Sequence, residues 1–274
     1  IAKIAAEKTA QLFGKNLEWI LPEDIGFYQQ RKPSWIRMRF GDNEEIGNIR
    51  QLVRKTQLHT VCEEAHCLNL NECWGRGDVT IMILGDVCTR SCGFCAVATG
   101  RPQGLDWEEP QRVAKAISQI PQSHIVITSV NRDELPDGGA EIWGETIRLA
   151  RLSAPQKTIE VLVPDFKGKK EDIKKVLDAE PHCFDHNIET VERLQKKVRP
   201  QAGYSKSLFV LKFANRNYPQ LVTKSSVMVG HGESEPELLK VFQDLRDVGV
   251  DILTIGQYLR PSKDHLPVIR YYSP

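Results

Sequence analysis

Six of the seven cysteines in this chain fall within 34 residues, in two groups of three. The upstream group lies in CEEAHCLNLNEC, with four and then five residues between successive cysteines. The downstream group lies in CTRSCGFC, with three and then two residues between them. Thiolates at such short spacings are typical ligands of soft metals, so each group is a candidate metal site. The upstream thiols are Cys62, Cys67 and Cys73, and the downstream thiols are Cys88, Cys92 and Cys95.

Structural zinc, a disulfide framework and iron–sulfur clusters are the alternatives for these thiols. Zinc favours two separated cysteine pairs that supply four ligands, and neither group here is a pair. A disulfide framework is typical of small, loop-rich secreted domains, whereas this chain has 274 residues and an odd number of cysteines. In a four-iron cluster, three cysteines leave one iron open to another ligand. The spacing therefore favours iron–sulfur clusters in a reducing compartment, and the isolated Cys183 is expected to be a buried apolar side chain.

The composition is that of a globular protein without a strong electrostatic preference. Hydrophobic residues make up 41% and charged residues 27%, and the formal net charge is +1. Neither nucleic acid nor a membrane is therefore expected as a partner. No apolar run approaches the roughly 20 residues that span a bilayer. Because the chain begins at Ile1 rather than Met, we expect its true N-terminus upstream, and the sequence does not decide whether a signal or transit peptide precedes it.

Short apolar runs alternate with amphipathic stretches of helical length from about residue 81 onward. This alternation predicts a parallel sheet with right-handed crossovers, in which chemistry belongs at the carboxyl ends of the strands. Six strands are too few for a closed eight-stranded barrel, so a partial barrel and an open doubly wound sheet both fit. The segment CTRSCGFC follows the first strand directly. Strands are predicted at 80–85, 124–130, 158–164, 182–187, 223–230 and 251–256, and helices at 108–120, 140–153, 169–179, 189–198 and 235–249.

The two cysteine motifs, with Phe94 just before the last cysteine, resemble those of a known family. CTRSCGFC resembles the signature of the radical S-adenosylmethionine (SAM) superfamily, and CEEAHCLNLNEC resembles the auxiliary-cluster motif of its lipoyl synthase family. The resemblance runs from about residue 30 to the end, through VITSVNRDELPDGGA, TIEVLVPDF, HNIETVERLQKKVRP, TKSSVMVG-x-GE and GQYLRPSKDHLPV. It implies a partial (β/α)6 TIM-like barrel over residues 76–274. Residues 1–75 would be an N-terminal extension that carries an auxiliary iron–sulfur cluster, with segment 14–39 wrapped around the barrel.

The resemblance also implies cofactors, a reaction and partners. The downstream thiols would hold a [4Fe–4S] cluster whose open iron binds SAM, and reductive cleavage of SAM would give a 5′-deoxyadenosyl radical. The upstream thiols would hold a second [4Fe–4S] cluster that supplies sulfur to carbons six and eight of an octanoyl-lysine. The octanoyl carrier would be a glycine-cleavage H protein or the lipoyl domain of a 2-oxoacid dehydrogenase, and ferredoxin or flavodoxin would deliver electrons. The implied compartment is the cytoplasm, or an organellar matrix or stroma in a eukaryote.

Polar residues on or just after the predicted strands are candidate contacts to SAM. Each has a plainer alternative: NRDELPDGG is a glycine-rich loop, NIET is a helix start, and arginines are most often solvated. Ser262, which lies close to Arg260 in the sequence, has the same two interpretations, a SAM contact or a solvated residue. A lone histidine such as His186 is more often a hydrogen-bonding structural residue than a ligand. The candidates are Ser129, Asn131, Glu160, Asn187, Glu189, Arg199 and Arg260.

The chain departs from the lipoyl synthase pattern in three places. It ends at VIRYYSP without the Arg-Ser-Ser-Tyr motif whose serine is the fourth auxiliary-cluster ligand, so Ser273 receives no such role and a further tail is expected. Ser226 and His231 stand where relatives more often have Gly and Leu, and His231 lies near a predicted SAM-binding loop. Two rival functions differ in testable ways. A biotin-synthase-like enzyme would lack the upstream motif, and a non-catalytic protein would hold zinc in both groups. We predict a radical SAM sulfurtransferase.

Overall fold

A computed structural model describes residues 32–37 and 41–273. Most of the segment 14–39, predicted to wrap the barrel, lies outside the described residues. The described part contains one seven-stranded sheet whose strands follow one another in chain order. The strands are β1 His59–Thr60, β2 Thr80–Ile83, β3 His124–Ser129, β4 Thr158–Leu162, β5 Cys183–Asp185, β6 Val222–Val229 and β7 Ile252–Gln257.

All six predicted strands are confirmed as β2 to β7, and each pairs in parallel with the next. The strand order never reverses, whereas a doubly wound sheet reverses at its switch point. The fold is therefore the partial barrel. The short β1 was not predicted; it pairs antiparallel with β2 and, among the described strands, forms one edge of the sheet opposite β7.

Helices cover the outside of the sheet and confirm four of the five predicted ones. No described helix is long and apolar enough to cross a bilayer. The four confirmed helices, α4, α5, α6 and α9, follow β2, β3, β4 and β6. The α-helices are α1 Asn43–Thr56, α2 Val61–Glu64, α3 Leu70–Trp74, α4 Glu109–Gln119, α5 Ala140–Ser153, α6 Lys170–Leu177, α7 Gln195–Val198, α8 Tyr204–Asn217 and α9 Glu235–Asp247.

The predicted helix over 189–198 is only partly confirmed, because residues 192–198 are helical and residues 189–191 are not. Glu189 has a positive φ of 64° and joins the sheet instead: its N–H donates to the Ser226 carbonyl, and its own carbonyl accepts from Met228. Only the four-residue α7 and a preceding 3₁₀ turn are helical there. The crossover helix between β5 and β6 is α8, whose buried face includes Tyr204 and Ser207 and so weakens the hydrophobic periodicity that would reveal it.

The segment before β2 shares its core with the barrel. Asp42 caps α1 by accepting the Glu44 N–H at 2.8 Å. Ile46, Ile49 and Val53 of α1 are buried in the same apolar cluster as the inner residues of α4 and β2. Burying large apolar side chains contributes roughly 1.5–3 kcal/mol each, so this contact fixes α1 against the barrel. A domain boundary at residue 75 stays a prediction.

Candidate active site

A cleft opens at the carboxyl edge of the sheet. The ends of β2 to β5 and the loops that follow them form its wall. Its apolar lining includes Val61, Met82, Phe94, Leu162 and Val163. All three downstream thiols line the same cleft, together with Arg90, Asp165 and His186. The sequence prediction placed chemistry at this edge, and the cleft lies there.

The loop that follows β2 presents Cys88 to the cleft through backbone hydrogen bonds. The Cys88 N–H donates to the Ala98 carbonyl at 2.8 Å, and the Cys88 carbonyl accepts from Gly100 at 2.9 Å. The Cys88 sulfur accepts two backbone N–H groups, from Arg90 at 3.4 Å and from Asn131 at 3.3 Å. N–H donors of this kind stabilise a thiolate and tune the potential of cluster sulfurs. The sulfur environment thus fits a cluster ligand.

Burial disfavours the charged forms of the other two downstream thiols. It raises the pKa of Cys92 to about 11, although the nearby Arg199 guanidinium acts to lower it. Burial likewise raises the pKa of Cys95, and the Cys88 thiolate adds to the increase. The three thiols are therefore close enough to influence one another. A metal must supply the positive charge that deprotonates them, which suits iron bound through thiolates.

Arg90, inside the downstream motif, is buried between two carboxylates that the sequence analysis did not single out. Its guanidinium donates to Asp133 at 2.7 and 2.8 Å and to Asp165 at 2.7 and 3.0 Å. Burial opposes ionisation of Asp165, but the Arg90 bonds outweigh it and hold the pKa of Asp165 well below its usual range. The two carboxylates lie in the loops after β3 and β4. Arg90 therefore fixes the downstream motif against both loops.

Five of the predicted SAM contacts line the cleft: Ser129, Asn131, Asn187, Glu189 and Arg199. The Ser129 hydroxyl and the Asn187 side-chain oxygen are buried there without a hydrogen-bond partner among the described residues. Such atoms are normally satisfied, so they are available to a polar ligand. Arg199 donates to the Asn187 carbonyl at 2.8 Å. Burial raises the pKa of Glu189, and the same arginine opposes that increase.

The upstream thiols lie on short helices beside this cleft. Cys62 of α2 is buried, Cys73 of α3 is half-buried, and Cys67 between them is exposed. Burial raises the pKa of Cys73, and the thiolates of Cys62 and Cys67 raise it further, so the three groups lie near one another. Val61, adjacent to Cys62, lines the cleft. The segment that carries the upstream group therefore reaches the cleft at Val61, whereas Cys62, Cys67 and Cys73 do not themselves line it.

Comparison with known proteins places this chain in a family. The model of the radical SAM superfamily matches residues 82–245. A curated lipoyl synthase of Rubrobacter xylanophilus is 56% identical over 256 residues, which are 92% of this chain and 80% of that protein. A lipoyl synthase of Bacillus cytotoxicus is 51% identical over 246 residues, with 89% of this chain and 83% of that protein covered.

The chain belongs to the lipoyl synthase family.

Two solved structures resemble the fold of this lipoyl synthase family member. SuiB of Streptococcus suis bound to S-adenosylmethionine matches with a TM-score of 0.54 at 11% identity, over 84% of this chain and 54% of SuiB. Methylornithine synthase matches with a TM-score of 0.50 at 13% identity, over 78% of this chain and 64% of that enzyme. At such low identity these matches show the fold alone. The predicted superfamily, family and fold class are confirmed.

Two predicted SAM contacts of this family member lie outside the cleft lining. Glu160 lies within the barrel, where its carboxylate accepts from Lys224 at 2.6 Å and pairs with His124 at 3.0 Å. Arg260 donates to the His265 carbonyl at 2.8 Å and to the Lys263 carbonyl. The structure therefore gives both charged groups partners within the protein and does not bring them to the other five.

Three other side chains singled out from the sequence are buried inside the protein. His186 is buried; its Nδ1 bonds the Val163 carbonyl at 2.9 Å and its Nε2 bonds the Ser207 hydroxyl at 3.0 Å. Burial lowers the pKa of His186 to about 4, so the ring is neutral at physiological pH. Cys183 is buried, as the sequence analysis predicts. His231 is buried, and its ring centroid lies 4.2 Å from that of Tyr258. Neither nitrogen of the His231 ring has a hydrogen-bond partner among the described residues.

Within residues 32–37 and 41–273, no three Cys, His, Asp or Glu side chains converge where one metal ion could bind.

Proposed function

We propose that this protein is a lipoyl synthase that inserts sulfur at carbons six and eight of an octanoyl-lysine on a carrier protein. The observation that carries the proposal is that six cysteines form two separate groups of three thiols. One group lines the cleft at the carboxyl edge, and the other lies in the segment that reaches the same cleft at Val61. Membership of the lipoyl synthase family supplies the reaction to which two such groups belong. A sulfurtransferase that acts on unactivated C–H bonds needs one site that generates a radical and another that donates sulfur, and the chain offers two groups of thiols.

The proposed ligands are the six clustered cysteines. Cys88, Cys92 and Cys95 would hold the [4Fe–4S] cluster that the radical SAM family implies, and the upstream thiols would hold a second [4Fe–4S] cluster. When bound, the first supplies the electron for SAM cleavage and the second supplies sulfur. Among this chain's own residues, the Cys88 sulfur accepts two backbone N–H groups that stabilise its negative charge. Arg90 holds the loop rigid around it.

The cleft offers separate surfaces for a polar and an apolar ligand. Ser129, Asn187 and Arg199 present hydrogen-bonding groups that could orient SAM, and the first two have atoms free to bond. Met82, Leu162 and Val163 form an apolar wall suited to an octanoyl chain. An apolar wall also excludes water from a reactive radical, which limits side reactions. Asn131 and Glu189 complete the proposed polar contacts.

The proposed partners are an octanoylated carrier domain and an electron donor such as ferredoxin or flavodoxin. All seven cysteines are free in the structure, which supports a reducing compartment such as the cytoplasm or an organellar matrix. The carrier would be a glycine-cleavage H protein or a lipoyl domain of a 2-oxoacid dehydrogenase. Each presents a lysine that carries the octanoyl group as an amide. The octanoyl group must therefore enter the cleft at the carboxyl edge of the sheet.

Anaerobic reconstitution tests this function directly. We expect about eight irons per chain, from two four-iron clusters. With SAM, a reductant and an octanoyl-lysine peptide, we expect 5′-deoxyadenosine and a lipoyl product by mass spectrometry. One equivalent of zinc at each thiol group, with no 5′-deoxyadenosine, would contradict the proposal. Deoxyadenosine without sulfur insertion would confine the chain to general radical SAM chemistry.

A further inference from the structure

The segment that follows β7, residues 258–266, is bonded to the downstream cysteine motif. The Leu266 N–H donates to the Gly93 carbonyl at 2.8 Å. One residue earlier, the His265 ring bonds the Cys95 carbonyl through Nε2 at 3.0 Å, across 170 residues of chain. No residue of this segment lines the cleft. Its contacts with the motif therefore act from outside the site.

Both nitrogens of the His265 ring are held. A carbonyl oxygen only accepts hydrogen bonds, so Nε2 carries the proton that bonds Cys95. On the other side of the ring, Nδ1 bonds the Ser262 hydroxyl at 2.9 Å. The backbone on either side is also fixed, because Arg260 donates to the His265 carbonyl and the Tyr258 hydroxyl donates to the Leu266 carbonyl at 2.7 Å. The ring is thus oriented before any cofactor binds.

The motif has little freedom to move away from this segment. The Gly93 N–H donates to the Val198 carbonyl at 2.9 Å on its other side. A Cβ on Gly93 would lie 2.8 Å from Leu266 Cδ1 and 3.2 Å from the Lys197 carbonyl oxygen. Residues 93–95 are therefore packed between the α7 region and the 258–266 segment. The His265 bond is the side-chain contact that reaches a thiol-bearing residue in this stretch.

We infer that His265 is a positioning residue for Cys95. Its Nε2–H bond holds the Cys95 backbone, and with it the third downstream thiol, in the geometry that a shared cluster requires. The inference rests on the proposed function, in which Cys95 is a cluster ligand. It assigns Arg260 and Ser262, both considered above as candidate SAM contacts, to the support of this histidine.

Alkylation of the full-length, metal-free protein under anaerobic conditions tests the inference without relying on activity. A short iodoacetamide pulse followed by peptide mass spectrometry gives a separate rate for each cysteine. His265→Leu removes the donor and should raise the Cys95 rate about fivefold, the effect of losing one ordinary hydrogen bond. His265→Gln retains an N–H donor at similar reach and should restore most of the slow rate. Ser262→Ala, a milder change, should give a smaller increase in the same direction.

Two controls make the experiment decisive. Lys263→Ala changes an exposed side chain of the same segment and should leave the Cys95 rate unchanged. The Cys62 rate within each variant reports general loosening, because that thiol is buried far along the chain from His265. An equal rise at Cys62 and Cys95, or equal Cys95 rates for wild type, His265→Leu and His265→Gln, would overturn the positioning role.

A measurement on the reconstituted protein separates this inference from the proposed function. In His265→Leu the midpoint potential and the electron paramagnetic resonance signal of the SAM-binding cluster should shift, and His265→Gln should return both toward wild type. If Cys95→Ala keeps all of its iron and its SAM cleavage, the ligand assignment fails. If Cys95→Ala loses that cluster while His265→Leu keeps the wild-type potential and signal, the ligand assignment stands and the role of His265 is wrong.

Discussion

The two cysteine groups of this protein are supported in different ways. The downstream motif is held by residues far away in the chain: Asp133, Asp165, Val198 and His265 all bond it. The upstream group is held by backbone bonds between near neighbours, such as that from the Cys67 N–H to the Cys62 carbonyl at 3.0 Å. Cys67 is also exposed, whereas each downstream thiol is at least half-buried.

This difference matches the two proposed roles. A cluster that binds SAM in every turnover must return to one geometry, and tertiary contacts from three loops provide that constancy. A cluster that gives up sulfur must be reached and rebuilt. Short helices with local bonds and an exposed thiol open more easily than a motif fixed from several sides. The contrast between tertiary and local support is therefore what the two proposed roles, a retained cluster and a consumed one, would require.

Single cysteine replacements should give the largest and clearest contrast. Cys88→Ala should reduce 5′-deoxyadenosine to background, because the cluster proposed to cleave SAM loses one ligand, the sulfur that accepts two backbone N–H groups. Cys73→Ala should keep 5′-deoxyadenosine formation and lose the lipoyl product. Both quantities are measured in one assay by liquid chromatography and mass spectrometry. Full lipoylation by Cys73→Ala would remove the upstream group from the role of sulfur donor.

Replacing Arg90 tests the tertiary support of the downstream motif. Arg90→Met removes the guanidinium that pairs with both carboxylates and leaves Asp165 only the more distant Lys206, at 3.5 Å. Breaking a buried ion pair in this way costs about 3–5 kcal/mol. Urea unfolding of the metal-free protein measures this loss. The matched control is Arg76→Met beside the upstream group, where an exposed arginine pairs with Glu72 and Asp78 at 3.2 Å. The control should change stability little, since exposed pairs contribute little. Equal losses in both variants would contradict the contrast.

The sequence predicted the parts of this molecule that depend on local pattern. Cysteine spacing and strand periodicity are properties of short segments, and the two thiol groups, β2 to β7 and four helices were found where the pattern placed them. Glu189 failed as a helix start because the β6 backbone offers its N–H and carbonyl partners that the sequence does not reveal. Arg90 was missed as a tertiary anchor because its two carboxylates lie 43 and 75 residues away.

Placement of the candidate SAM contacts shows the same limit. Ser129, Asn131, Asn187 and Glu189 lie at or just after strand ends, and Arg199 follows α7. All five reach the cleft because the topology of the fold puts them there. Glu160 was judged from its position in a strand, but Lys224 of a distant strand binds it inside the barrel. Tertiary partners of charged side chains therefore decide which candidates reach a site, and one sequence does not contain that information.

Acid should weaken the downstream support through Asp165. Arg90 lowers the folded-state pKa of this carboxyl, so its stabilising effect is complete above the unfolded value of about 3.9 and is lost as the pH falls toward the folded value. Asp165→Asn should therefore destabilise the protein by about 2–3 kcal/mol at pH 7 and by progressively less below pH 4. Urea unfolding of both proteins at several pH values measures the difference. A constant difference down to pH 3 would contradict the ionic role of Asp165.

Paired glycine replacements give the smallest predicted effect and locate the rigidity of the downstream motif. Gly93→Ala puts a Cβ 2.8 Å from Leu266 Cδ1, and this crowding should cost about 1–3 kcal/mol. Gly47 lies in α1 with nothing within 4 Å of an added Cβ, so Gly47→Ala should instead stabilise the protein by about 0.5–1 kcal/mol through helix propensity. Urea unfolding gives both values. The opposite signs of the two changes in the free energy of unfolding are the decisive feature. If the protein accepted Ala at 93 without losing stability, the motif would not be held between α7 and the 258–266 segment.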